Sequence, residues 1–168
     1  VTGTSITERS RAPQSFRIAA DGLNRCGGLG HSGCYRKGMA PLVLIVEDFE
    51  DARELYSEYL QHVGLEVIST GNAIDGIRLA RARHPDVIVM DAGLPGMSGW
   101  DATAALKSDP ATAGICIIML TGHVLVDAEQ HARAAGVNVF LRKPCLPDQP
   151  HREIRTALAQ CSTPAKMS

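Results

Sequence analysis

Val87-Ile88-Val89-Met90-Asp91-Ala92-Gly93-Leu94-Pro95-Gly96 joins a run of apolar β-formers to a carboxylate, after which the chain turns through Gly, Pro and Gly. An unbroken apolar run of this length, bounded by turn residues, reads as a strand buried on both faces. Such strands belong to parallel sheets covered by helices above and below. Asp91 at the tip then has two readings. It starts a turn or caps the next helix, or it is a reactive carboxylate held at the end of a rigid arm.

The segments on either side extend the pattern. Leu42 to Val46 is a second continuous apolar strand, and Asp51 to Val63 carries Leu55, Tyr59, Leu60 and Val63 at helical spacing, stopped by Gly64. Leu65 to Thr70 is a shorter strand. Asn72 is placed to cap a helix containing Ile74, Ile77 and Leu79 to Ala82, which ends before Pro85. Beyond Asp91, a short helix over Trp100–Lys107 closes at Asp109-Pro110. A strand over Ile115–Leu120, a helix over Asp127–Ala135 backed by Gly136, a strand over Val137–Leu141 and a helix over Asp148–Gln160 complete the series. Strict alternation of apolar strands with amphipathic helices predicts a doubly wound α/β sheet with right-handed crossovers. Ligands of such sheets bind outside the carboxyl ends of the strands.

Bulk properties exclude several classes. The chain has 168 residues, 45% hydrophobic and 21% charged, with a net charge of -1. That balance supplies no whole-chain field for nucleic acid or an anionic membrane, and no apolar run is long enough to span a bilayer. The five cysteines, Cys26, Cys34, Cys116, Cys145 and Cys161, are scattered and odd in number, which fits a reducing cytoplasm better than a disulfide framework. Cys116, inside an apolar run, reads as a small buried hydrophobe.

Residues 1–39 depart from the rest. They lack a core-forming period and the apolar centre of a signal peptide, so they are expected to be a disordered or mis-annotated extension, with Val1 either a GTG start read literally or the mark of a frame that begins too early. Cys26, His31 and Cys34 supply three irregularly spaced ligands, short of a structural zinc site's usual four. The ordered domain is expected over 40–161, followed by a flexible tail over 162–168.

The predicted strand ends are strongly polar: Glu47-Asp48 after the first, Asp91 after the third, Thr121 after the fourth, and Arg142-Lys143-Pro144 after the fifth. If the first and third strands are neighbours, Asp48, Asp91 and Glu47 converge. Clustered carboxylates repel, and a hard cation such as Mg²⁺ relieves that repulsion through oxygen ligands. A carboxylate is also a competent nucleophile for phosphoryl transfer, with the metal, Lys143 and the Thr121 hydroxyl stabilising the transferred oxygens.

This pattern resembles the receiver domain of two-component response regulators, from about Pro41 to about Ala159. The resemblance is carried by Val46-Glu47-Asp48, Asp91-Ala92-Gly93-Leu94-Pro95-Gly96-Met97-Ser98-Gly99, Leu120-Thr121-Gly122 and Phe140-Leu141-Arg142-Lys143-Pro144. It implies a flavodoxin-like, five-stranded parallel sheet in order 2-1-3-4-5 with helices on both faces. It implies Asp91 as phosphoryl acceptor, with Asp48, Glu47 (chiefly through water), Asp91 and the Gly93 carbonyl around Mg²⁺. Thr121 and Lys143 would contact the phosphoryl group, Thr121 and Phe140 would form the switch, and the Lys143-Pro144 bond would be cis. Gly93 and His123 stand where the family tunes phosphoryl lifetime.

The implied function is phosphorelay signalling by a single-domain regulator. The donor would be a histidine kinase or phosphotransfer protein, and a target would bind the 127–160 face. His62, His84, His131 and His151 read as surface residues, not relay histidines. Two alternatives remain: an interaction module on the same fold that is never phosphorylated, and an Asp-nucleophile phosphatase. The latter needs a second Asp two positions after the first, where Gly93 stands.

Overall fold

The computed structural model describes residues 15–17, 39–122 and 134–161. Ten elements follow one another: β1 (Ser15–Arg17), β2 (Leu42–Val46), α1 (Glu50–His62), β3 (Glu66–Thr70), α2 (Ala73–Arg83), β4 (Val87–Asp91), α3 (Gly99–Ser108), β5 (Cys116–Thr121), β6 (Val139–Arg142) and α4 (Asp148–Cys161). The sheet order is β1-β6-β5-β4-β2-β3. From β3 to β6 all pairings are parallel, which is the 2-1-3-4-5 doubly wound arrangement.

β1 is an addition that the apolar pattern did not indicate. It pairs antiparallel with the edge strand β6, with Phe16 opposite Phe140. Three residues are too few to show periodicity, and backbone pairing along an edge needs none. The expected Asp127–Ala135 helix lies mostly outside the described residues. Its last residues, Ala134 and Ala135, are helical, and Gly136 follows with φ 80°.

Strand alternation divides the core in two. Leu44, Val46, Ile88, Met90, Ile117 and Met119 face α2 and α3. Val43, Ile45, Val89, Ile118, Leu120 and Leu141 face α1 and α4. These side chains are essentially inaccessible, as expected for a sheet covered on both sides.

The helices depart from the expected stripes. Tyr56 and Leu60 are the buried residues of α1, whereas Leu55 is exposed. On α2, the small residues Ala73, Gly76 and Ala80 are buried and Ile74 is exposed. A Cβ on Gly76 would lie 2.9 Å from Val46 Cγ2, so close seating of the helix on the sheet requires glycine there. Asn72 caps α2 as expected, accepting a hydrogen bond from the Asp75 amide at 2.8 Å. Cys116 is only partly buried. His151 is partly buried too, its ring meeting Tyr59 edge-on at 5.9 Å.

At the amino ends of the strands, remote from the polar tips, Lys107 donates to the carbonyls of Ala113 (3.1 Å) and Ile115 (2.7 Å) and to Asn138 Oδ1 (3.2 Å). Burial holds its pKa below the ordinary lysine value. Three acceptors tied by one ammonium make this a structural cross-link between α3 and the start of β5. Lys107→Ala is expected to lower the unfolding free energy by about 2 kcal/mol, the scale of losing charge-assisted hydrogen bonds to partly buried carbonyls. Urea unfolding measures this.

Candidate functional site: an acidic pocket at the carboxyl ends of β2 and β4

Register places the polar residues side by side. Val46 on β2 is opposite Met90 on β4, so the next residues, Glu47 and Asp91, emerge together at the top of the sheet. Asp91 is opposite Leu120, and Thr121 is opposite Arg142. Lys143 therefore leaves β6 beside the same edge, where its amide donates to the Thr121 carbonyl at 2.7 Å. The Lys143-Pro144 peptide bond is cis. Gly99 packs its α-carbon onto the backbone of Asp91 and Ala92, where a Cβ would collide with the Asp91 carbonyl. Helix α3 thus begins tight against the end of β4, with Ser98 as its cap.

Carboxylate oxygens of Glu47, Asp48 and Asp91 lie within 4.8 Å of one another. Glu47 and Asp91 are buried at 1% and 6% exposure, whereas Asp48 is exposed. Lys143 Nζ contacts Glu47 Oε1 at 2.9 Å and Oε2 at 2.7 Å, and Asp91 Oδ2 at 3.1 Å. Asp91 Oδ1 accepts from the Gly93 amide at 3.2 Å. Burial raises the Glu47 pKa, and repulsion from Asp91 and Asp48 adds to the rise despite the Lys143 bond. Burial acts against the charge of Lys143 as well, but the bonds and charges of Glu47 and Asp91 outweigh it, so the lysine pKa rises. Three carboxylates against one ammonium leave the pocket short of positive charge. An all-oxygen donor set of that kind fits a hard divalent cation.

Each sequence-derived site residue can now be placed. Glu47, Asp48, Asp91 and Lys143 converge. Gly93 is exposed on the loop just past Asp91, and Thr121 is buried at the end of β5. Phe140 sits opposite Met119 and packs on the α2/α3 side of the core. His123 lies outside the described residues.

Two residues of α1 were not singled out from the sequence. Arg53 Nη1 donates to the carbonyls of Glu47 (2.8 Å) and Asp48 (3.4 Å). The Tyr56 hydroxyl donates to the Cys145 carbonyl at 3.2 Å and lies 3.3 Å from its sulfur. Arg53 follows Glu47 and Asp48 closely, in the first turn of α1, but a guanidinium on backbone carbonyls leaves no mark in hydropathy.

The response regulator receiver domain model matches residues 43–155. The chain belongs to the response regulator receiver domain family. The polar-differentiation response regulator DivK of Brucella ovis is 35% identical over 106 residues, covering 63% of this receiver chain and 86% of DivK. Among solved structures, the chemotaxis protein CheY4 of Vibrio cholerae superposes with TM-score 0.67 at 26% identity, covering 70% of this chain and 98% of that one. The receiver domain of sensor histidine kinase PA1611 from Pseudomonas aeruginosa has TM-score 0.66 at 26% identity, covering 71% and 98%, and holds a magnesium ion in its active-site cleft. No helix among the described residues of this receiver is long and apolar enough to cross a membrane.

Proposed function

We propose that this receiver is a cytoplasmic phosphoacceptor that takes a phosphoryl group onto Asp91 from a histidine kinase or phosphotransfer protein. The observation carrying the assignment is Asp91 itself: a buried carboxylate with Lys143 Nζ 3.1 Å away and two further carboxylates in the same pocket. Residues 40–161 form the unit that does this, and Ser15–Arg17, from the segment before it, add an edge strand to its sheet.

In the reaction, an Asp91 carboxylate oxygen forms the new P–O bond while the bond from phosphorus to the donor's imidazole nitrogen breaks. The leaving nitrogen keeps the electron pair and is protonated by solvent. Glu47, Asp48, Asp91 and the Gly93 carbonyl would hold Mg²⁺, whose chemistry is to neutralise the transferred oxygens. Lys143, anchored at the end of β6, provides the protein's own positive charge to the same oxygens. Thr121 supplies a hydroxyl donor. Its movement toward the phosphoryl group would open space for Phe140 to turn inward, changing the 127–160 face that meets the target.

This makes the chain a phosphoacceptor that assists its own chemistry, not an enzyme acting on a separate substrate. The phosphatase alternative fails at Gly93, which offers no acid. Incubation with acetyl phosphate tests the assignment by intact mass spectrometry. One phosphoryl group is expected in the presence of Mg²⁺ and none after chelation with EDTA. Absence of the adduct with Mg²⁺ would favour the unphosphorylated interaction module.

A further inference from the structure

We propose that Arg53 and Tyr56 are positioning residues, one turn apart on α1, that hold in place the two loops forming the acidic pocket. The proposal rests on the phosphoacceptor reading above. Residues three apart on a helix share a face, and here each reaches a different loop. Arg53 has a side chain only 21% exposed, and its Nη1 is shared between the carbonyls of Glu47 and Asp48. Those carbonyls belong to the residues that bring two of the three carboxylates, so the guanidinium fixes the backbone from which both project. The fit is close, since a Cβ on Gly71 would lie 3.1 Å from the same Nη1. The neighbouring Glu50 carboxylate is 3.9 Å from Nη2 and 74% exposed, a weak competitor for the guanidinium.

Tyr56 does the equivalent for the opposite wall. It is 5% exposed, and its hydroxyl reaches the Cys145 carbonyl. Cys145 is two residues past Lys143, so the bond anchors the turn that delivers the ammonium. A tyrosine buried on an otherwise apolar helix face requires such a partner for its hydroxyl. Helix α1 therefore ties down the loop after β2 through Arg53 and the loop after β6 through Tyr56. Neither side chain is assigned a contact with Mg²⁺ or phosphate.

The two ties predict separable effects. Residues that orient metal ligands typically alter metal affinity about 10- to 100-fold when removed. Calorimetric titration of the full chain with MgCl₂ should show Arg53→Ala weakening binding at least about ten-fold, with Arg53→Lys restoring part of the loss. Tyr56→Phe should leave the Mg²⁺ affinity unchanged. At saturating Mg²⁺ the pattern reverses: Arg53→Ala should accept phosphate from acetyl phosphate at close to the wild-type rate. Tyr56→Phe, having lost one hydrogen bond behind Lys143, should be slower by about three- to ten-fold.

Thermal unfolding of each variant identifies general destabilisation, and Arg53→Lys and Tyr56→Phe remain informative if Arg53→Ala does not fold. Unchanged Mg²⁺ affinity in both Arg53 variants would overturn the role of Arg53. A wild-type rate in Tyr56→Phe would overturn that of Tyr56. Equal losses of affinity and saturated rate in every variant would reduce both residues to general structure. Failure of the wild-type chain to bind Mg²⁺ or take phosphate would instead sink the phosphoacceptor reading itself.

Discussion

Asp91→Asn is expected to abolish phosphorylation from acetyl phosphate, a loss of at least about four orders of magnitude, as for other removed nucleophiles. An amide is nearly isosteric with the carboxylate but carries no anionic oxygen to attack phosphorus. The substitution should not unfold the protein. Asp91 is one of three carboxylates within 4.8 Å, and removing its charge relieves repulsion that raises the Glu47 pKa. Lys143 keeps both oxygens of Glu47, at 2.9 and 2.7 Å, after its contact with Asp91 is weakened. The thermal midpoint without Mg²⁺ should therefore equal or exceed that of the wild type. Peptide mapping of the treated variant checks the chemistry. Phosphate retained on another residue at the wild-type stoichiometry would show that Asp91 is not the acceptor.

The sheet was legible because the physics that buries a central strand also writes it in the sequence. Val43 to Val46 and Val87 to Met90 have no solvent-facing side, so their apolar runs are unbroken, and a polar residue marks where each emerges. Glu47, Asp91 and Thr121 were found by that rule, as was Lys143 one residue beyond β6. Helix faces were less legible. Close approach of a helix to the sheet favours small residues, so Ala73, Gly76 and Ala80 are buried while Ile74 is exposed. Tyr56 was passed over because its polar tip hides how much apolar ring it buries. Arg53 and Lys107 act on backbone carbonyls of the loops adjoining their own helices, and a bond to a main-chain oxygen leaves no mark in side-chain pattern. β1 is held by main-chain pairing to β6, which leaves no mark in side-chain periodicity.

The same crowding gives Lys143 a structural role in the pocket. Lys143→Ala removes both hydrogen bonds from a Glu47 carboxylate that is 1% exposed and withdraws the ammonium from Asp91. Breaking a fully buried ion pair costs roughly 3–5 kcal/mol. The lysine side chain is 24% exposed, so solvent screening lowers the expected loss to about 2–3 kcal/mol. The deficit should depend on pH in a definite direction. The Glu47 pKa in the folded protein lies above its ordinary value of 4.5, so folding favours the neutral carboxyl. Stability attributable to this group is present in full below its unfolded pKa and is lost as pH rises through the folded one. Loss of Lys143 raises that folded pKa further. The variant should consequently approach wild-type stability in acid and fall furthest below it at neutral pH. Glu47→Gln added to Lys143→Ala removes the unpaired charge and should bring the double variant to within about 1 kcal/mol of the wild type. Urea unfolding followed through Trp100, the single tryptophan, measures all three proteins in EDTA. A deficit of the same size in the double variant would mean that Lys143 stabilises the fold by packing rather than by neutralising Glu47.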